Sequence, residues 1–156
     1  MADLRESLTV AAPADLVYDL VADLPRMGEW SPECETVTWR GGASCAASGA
    51  RFVGHNKAGS VRWMTQGEVV IAELGRHLAF EISFGPLKIA RWEYVIVPDD
   101  ADPSTCTVAE EWTDRRPGWY RTPADLAFGS RVKTNHRGMV QTLANLKRAA
   151  EVATHK

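Results

Sequence analysis

Residues 12–32 read Ala12-Pro13-Ala14-Asp15-Leu16-Val17-Tyr18-Asp19-Leu20-Val21-Ala22-Asp23-Leu24-Pro25-Arg26-Met27-Gly28-Glu29-Trp30-Ser31-Pro32, and the change of period inside this stretch decides how the rest of the chain must pack. Pro13 stands in a first helical turn, where its missing N–H and fixed φ are harmless, and Leu16, Val17, Leu20, Val21 and Leu24 follow at helical spacing. Pro25 ends that helix and leaves Met27–Pro32 room for one further short turn. Before it, Leu4, Leu8 and Val10 alternate with Arg5, Ser7 and Thr9, so a strand precedes the helix; Glu6 is the one charged residue in the apolar register.

After the turn the period becomes two. Glu33 to Thr113 is strand-like except at Gly41-Gly42, Asn56 to Gly59, Glu73 to Arg76, Gly85-Pro86 and Pro98 to Pro103. Six strands result, at 34–40, 50–56, 61–72, 77–84, 87–97 and 105–113, seven with the first. Their short connections make neighbours antiparallel. The chain then returns to helix: Thr122-Pro123 reads as an N-cap followed by a proline at the first helical position, and no proline follows up to Val152. Phe128, Val132, His136, Met139, Leu143, Leu146 and Ala150 form one stripe about 80° wide, with Arg137, Gln141 and Arg148 opposite.

That order predicts an α+β plan: a seven-stranded curved antiparallel sheet wrapped around a long C-terminal helix, with two short helices after the first strand. So wide a sheet curls round one helix, and the space between can stay open as a cavity; Gly54 and Gly67 are plausible bending points. The length of 156 residues fits one domain over 1–156, large enough to fold without disulfides or metal. With 18 basic residues against 20 acidic, the net charge of −2 argues against nucleic acid as a partner. Residues 1–7 carry mixed charge and no signal-peptide core, and no apolar run is long enough for membrane insertion. Cys34, Cys45 and Cys106, odd in number and far apart, read as reduced thiols of a cytoplasmic protein. Six tryptophans in so short a chain point to a dense core or an aromatic-walled pocket.

The stretch 12–32 resembles the opening of the SRPBCC superfamily, the START and Bet v 1-like proteins, and most resembles its actinobacterial polyketide cyclase/dehydrase-type branch. Arg91-Trp92-Glu93-Tyr94, the strand Thr105–Asp114 with Glu110-Glu111-Trp112, and Asn135-His136-Arg137-Gly138-Met139 with Thr142-Leu143 and Leu146-Lys147 match the same branch. The resemblance covers nearly the whole chain and implies a helix-grip fold with a hydrophobic cavity. It does not choose among lipid carriers, hormone receptors, aromatases, oxygenase domains and toxin–antitoxin partners, because one fold serves many functions.

Strand alternation assigns the faces. Leu78, Phe80, Ile82 and Phe84 go together, as do Trp63, Thr65, Gly67, Val69 and Ile71, then Ala90, Trp92, Tyr94 and Ile96, and finally Cys106, Val108, Glu110 and Trp112. The candidate ligand-binding residues are therefore Trp63, Thr65, Phe80, Ile82, Trp92, Tyr94, Glu110, Trp112, His136, Met139 and Leu143. Phe80, Trp63, Trp92 and Leu143 are expected to line one continuous cavity. Glu110 among apolar neighbours should have a raised pKa, suiting it to acid–base work or to holding a ligand hydroxyl; alternatively Tyr94, Trp112 or an arginine satisfies it structurally. His136, on the inward stripe, can face Glu110 across the cavity, or be a core histidine bonded to a backbone carbonyl.

Glu110, Tyr94 and His136 are thus the candidate catalytic set. His55, His77 and His155 show no ligand spacing with each other or with a cysteine, so neither a metal nor another cofactor is expected. Nucleophile-elbow, Walker, dinucleotide and zincin motifs are absent, as are Rieske-type Cys and His pairs. From Arg115 to Arg137, six basic residues against the single acid Asp125 give a local charge of +5, either a solvated helix face or a steering patch for an anionic ligand or acidic partner. The main functional expectation is binding of a small hydrophobic or aromatic molecule, including a lipid, by a monomer or homodimer. The rivals are a cofactor-free polyketide cyclase, aromatase or dehydratase using the candidate catalytic set, and an antitoxin-like interaction module.

Overall fold

A computed structural model describes residues 1–156. Seven strands, β1 (Leu4–Val10), β2 (Cys34–Arg40), β3 (Arg51–Ala58), β4 (Val61–Glu73), β5 (His77–Phe84), β6 (Leu87–Pro98) and β7 (Cys106–Asp114), form one antiparallel sheet in the order β1-β7-β6-β5-β4-β3-β2. The helices are α1 (Ala14–Ala22), α2 (Gly118–Phe128) and α3 (Arg131–Ala153), with a 3-10 turn at Leu24–Glu29. The strand limits lie within two residues of those expected, because each break carries turn residues that leave the sheet period no choice.

Helix α1 opens after Pro13, has Asp15 in its first turn where the helix dipole favours it, and buries Ala14, Val17, Tyr18, Leu20 and Val21. It packs against β5, β6, β7 and α3. The 3-10 turn then folds flat onto β2: at Gly28 an added Cβ would stand 2.1 Å from the backbone oxygen of Glu35. Trp30 is buried behind it, its carbonyl accepting from Asn145 Nδ2 at 2.9 Å and its ring lying 5.6 Å from the Arg26 guanidinium. Together α1 and the turn close one end of the grip.

The structure corrects three sequence readings. Gly129 and Ser130 divide the expected single C-terminal helix: Gly129 adopts φ 84°, ψ 165°, a region essentially reserved for glycine, and the Ser130 side chain caps α3. Thr122 is consequently no N-cap, and Pro123 lies inside α2. Second, the register shifts between Val69 and Ile71, so Ile71 pairs with Ala79 on the convex side and Ala72 takes its place opposite Leu78. Third, Gly67 makes room rather than merely bending the sheet. The Phe52 ring occupies the space of its missing side chain, in edge contact with both Trp39 and Phe80 at centroid distances of 6.0 and 5.6 Å.

Candidate functional site

Register orders the side chains of the concave face into rows. Cross-strand rows run from the closed end as Leu8–Val108–Ile96, then Glu6–Glu110–Tyr94–Leu78, then Leu4–Trp112–Trp92–Phe80–Val69, then Ala90–Ile82–Gly67–Phe52. Phe80, Tyr94 and Leu143 are buried in the main core, and Met139 and Trp112 in a smaller cluster beside it. Trp92 and Ile82 bridge the two clusters and remain half-buried, as do Trp63 and Thr65 further along the face. Of the four residues expected to line one continuous cavity, Phe80 and Leu143 are therefore packed in the core, while Trp92 and Trp63 are half-buried on the same face. Phe52, seated over Gly67, fills the space that a continuous cavity would need.

One row nearer α1 than Trp112 and Trp92 sits Glu110, 3% exposed. Tyr94 donates its hydroxyl proton to Glu110 Oε1 at 3.0 Å, and Glu110 Oε2 is buried without a partner. Burial pushes the carboxyl pKa up to about 8, against the opposing pull of the Tyr94 hydrogen bond, so at neutral pH the group is mainly a neutral acid. Burial also raises Tyr94 well above its ordinary value, with the adjacent Glu110 adding to the effect. The only other buried side-chain polar atom without a partner is the Tyr18 hydroxyl on α1, at the closed end.

His136 does not join this pair. It is half-exposed, and its Nε2 lies 2.7 Å from Glu6 Oε1. The first turns of α3 overhang the sheet edge, where Val132 is also exposed, so the inward stripe begins only at Asn135 and Met139. Glu6 is the residue the strand reading passed over: its register partner is Glu110, and an acid in an apolar alternation was the available signal. Asn56 was also missed. It shares the concave face between Cys34 and Trp63 and donates to Thr65 Oγ1 at 3.2 Å. No group of three or more His, Cys, Asp or Glu residues is arranged to hold a metal ion.

The basic segment is mostly internally neutralised. Arg116, 6% exposed, grips Asp114 through Nε and Nη2 at 3.0 and 2.8 Å and reaches Asp125 at 2.9 Å. Arg121 pairs with Asp114, Arg115 with Glu81 and Arg131 with Glu33. Lys133 and Arg137 alone in this segment have no acidic partner. Two surface concavities lie away from all of these concave-face residues: about 520 Å³ between the end of α3 and the turn residues Arg26 and Glu29, and about 350 Å³ on α2 among Trp119, Tyr120, Pro123, Ala124 and Phe128. No helix is long and apolar enough to cross a membrane.

Comparison with known proteins bears on the same fold. The sequence model of the family described as polyketide cyclase / dehydrase and lipid transport matches residues 1–151. Among solved structures, a polyketide cyclase-like protein of Corynebacterium glutamicum is 30% identical, with a TM-score of 0.61 over 97% of this chain and 92% of that one. An aromatase/cyclase of a Streptomyces species is 19% identical, with a TM-score of 0.65 over 95% and 92% of the two chains. The di-domain aromatase/cyclase StfQ of the steffimycin biosynthetic pathway is 16% identical with a TM-score of 0.71; the match covers 97% of this chain but 46% of that protein, so the chain spans about half its length. No curated protein matches.

Proposed function

The chain belongs to the polyketide cyclase / dehydrase and lipid transport family, and from that premise we propose that it binds a small apolar, ring-bearing molecule on the concave face beside Trp63, Thr65, Ile82 and Trp92. One observation carries the reading: the second carboxyl oxygen of Glu110 is buried without a partner on the sheet face that also presents Trp92 and Trp112. A neutral carboxyl whose Oε1 accepts from Tyr94 has its proton to give through Oε2. An oxygen acceptor on the ligand, a carbonyl or hydroxyl, satisfies that donor and removes the cost of leaving it unmet. The flat indole faces supply area at small conformational cost. The unpaired thiols suit a reducing compartment such as the cytoplasm.

A second reading is favoured by the raised carboxyl pKa: Glu110 as general acid toward a polyketide-like substrate, with Tyr94 as its hydrogen-bond partner and the His136–Glu6 pair at the rim. Glu110→Gln separates the two. A ligand-holding role predicts binding of aromatic ketone probes, followed by tryptophan quenching, weakened about tenfold in the variant. Turnover of a polyketide-like substrate by the native protein, lost roughly a hundredfold or more in the variant with binding retained, establishes the enzyme instead. Absence of probe binding to the native protein overturns both.

A further inference from the structure

Helix α2 is amphipathic in the inverted sense. At 100° per residue its polar residues Arg121, Asp125 and Thr122 share one side, while Trp119, Tyr120, Pro123, Ala124, Leu126, Ala127 and Phe128 fill an arc of about 200°. The polar side is pinned to the body: Asp125 to the buried Arg116, and Arg121 to Asp114. The apolar side faces solvent, with Trp119 74%, Leu126 83% and Phe128 88% exposed, and no residue of the helix is buried. Turning the apolar arc inward would break the Arg116 ion cluster, so it is held outward.

We infer that this face docks on an anionic lipid bilayer. Its apolar arc carries no charge and no side-chain hydrogen-bonding group apart from the Trp119 N–H and the Tyr120 hydroxyl. That is the equipment of a membrane interface, where aromatic rings sit at headgroup depth and no register with a partner is required. A protein partner of comparable specificity would be met by a polar rim with paired hydrogen bonds. The electrostatic complement is present beside it. Lys133 and Arg137, one turn apart on the exposed side of α3, have no acidic partner, whereas Asp114 and Asp125 are both consumed by arginines. Exposed Val132 and Val140 extend the apolar surface along the same helix. The shallow concavity among Trp119, Pro123 and Phe128 accepts a flexible acyl segment.

The test is co-sedimentation of the full chain with vesicles of phosphatidylcholine containing about a third phosphatidylserine, against phosphatidylcholine alone, at low ionic strength. Binding to the anionic vesicles is expected to be roughly tenfold or more tighter, and reversing Lys133 and Arg137 to glutamate is expected to abolish that preference. Trp119→Ser with Phe128→Ser is expected to abolish binding to either vesicle while leaving the thermal midpoint unchanged, since both side chains are exposed. Three results overturn the inference: no binding to either vesicle, binding indifferent to the paired serine variant, or a concentration-dependent dimer that Phe128→Ser dissolves in a chain that ignores vesicles. The last would assign the face to a second copy.

Discussion

Glu110 combines the chemistry of the site with a cost to stability. The folded protein holds its proton up to about pH 8, whereas the unfolded chain releases it near 4.5. Folding therefore binds a proton between these values, and stability falls as pH rises through that window, then levels off above it. Tyr94, Glu6 and His136 are the titratable groups around it, and none supplies a cation in direct contact with the carboxyl. Denaturant midpoints at about pH 5 and about pH 9 are expected to show native protein losing a few kcal/mol that Glu110→Gln does not lose. Equal slopes in the two proteins would mean that the carboxyl is hydrated. Arg116 is the second residue whose role burial decides. Its loss leaves the nearly inaccessible Asp114 with Arg121 as its sole cation and removes the partner of Asp125, so Arg116→Ala is expected to cost about 1 to 3 kcal/mol in chemical denaturation. Reversing Arg116 together with Arg121 and Arg131 consequently tests stability rather than steering. The local charge count concealed this because Glu33 and Glu81 lie far away in sequence.

Among the elements, strands were legible and helix ends were not. Alternation on β6 and β7 placed Tyr94, Glu110 and Trp112 on one face because those strands pair without a bulge, whereas on β4 the shift after Val69 moved Ile71 to the other side. The His136 assignment failed for a different reason: a helix period says which residues share a stripe, but not where along its length the sheet ends. Gly129-Ser130 was the missed boundary, since glycine followed by a capping serine outweighs the proline signal at 123. The 3-10 turn supplies an element-scale prediction. Gly28→Ala drives a methyl into the backbone carbonyl of Glu35, the residue at which β2 shifts register against β3, and is expected to cost at least about 2 kcal/mol. Gly118→Ala, whose Cβ meets nothing within 4 Å, is expected to be neutral or slightly stabilising. Matching thermal shifts in the two variants would refute the close-approach explanation.

On the scale of the molecule, stability should be graded from the α1 end to the α2 end. Leu143, Leu146 and Ala150 of α3 are buried against α1 and the sheet, while α2 buries nothing. Amide hydrogen exchange is expected to run at least about a hundredfold faster across α2 than across Leu143–Ala150, and comparable protection would mean that α2 has a packing partner in solution. The sheet order carries a consequence for how the chain reaches this state. Every pair from β2 to β7 joins sequence neighbours, so that meander can assemble hairpin by hairpin as the polypeptide leaves the ribosome. The pairing of β1 with β7 is the exception, linking Arg5 to Glu111 across 106 positions. Strand β1 must wait for β7, its pairing edge unsatisfied until that strand has been made. Closure of that long loop, with its entropy cost, is the natural slow step of folding.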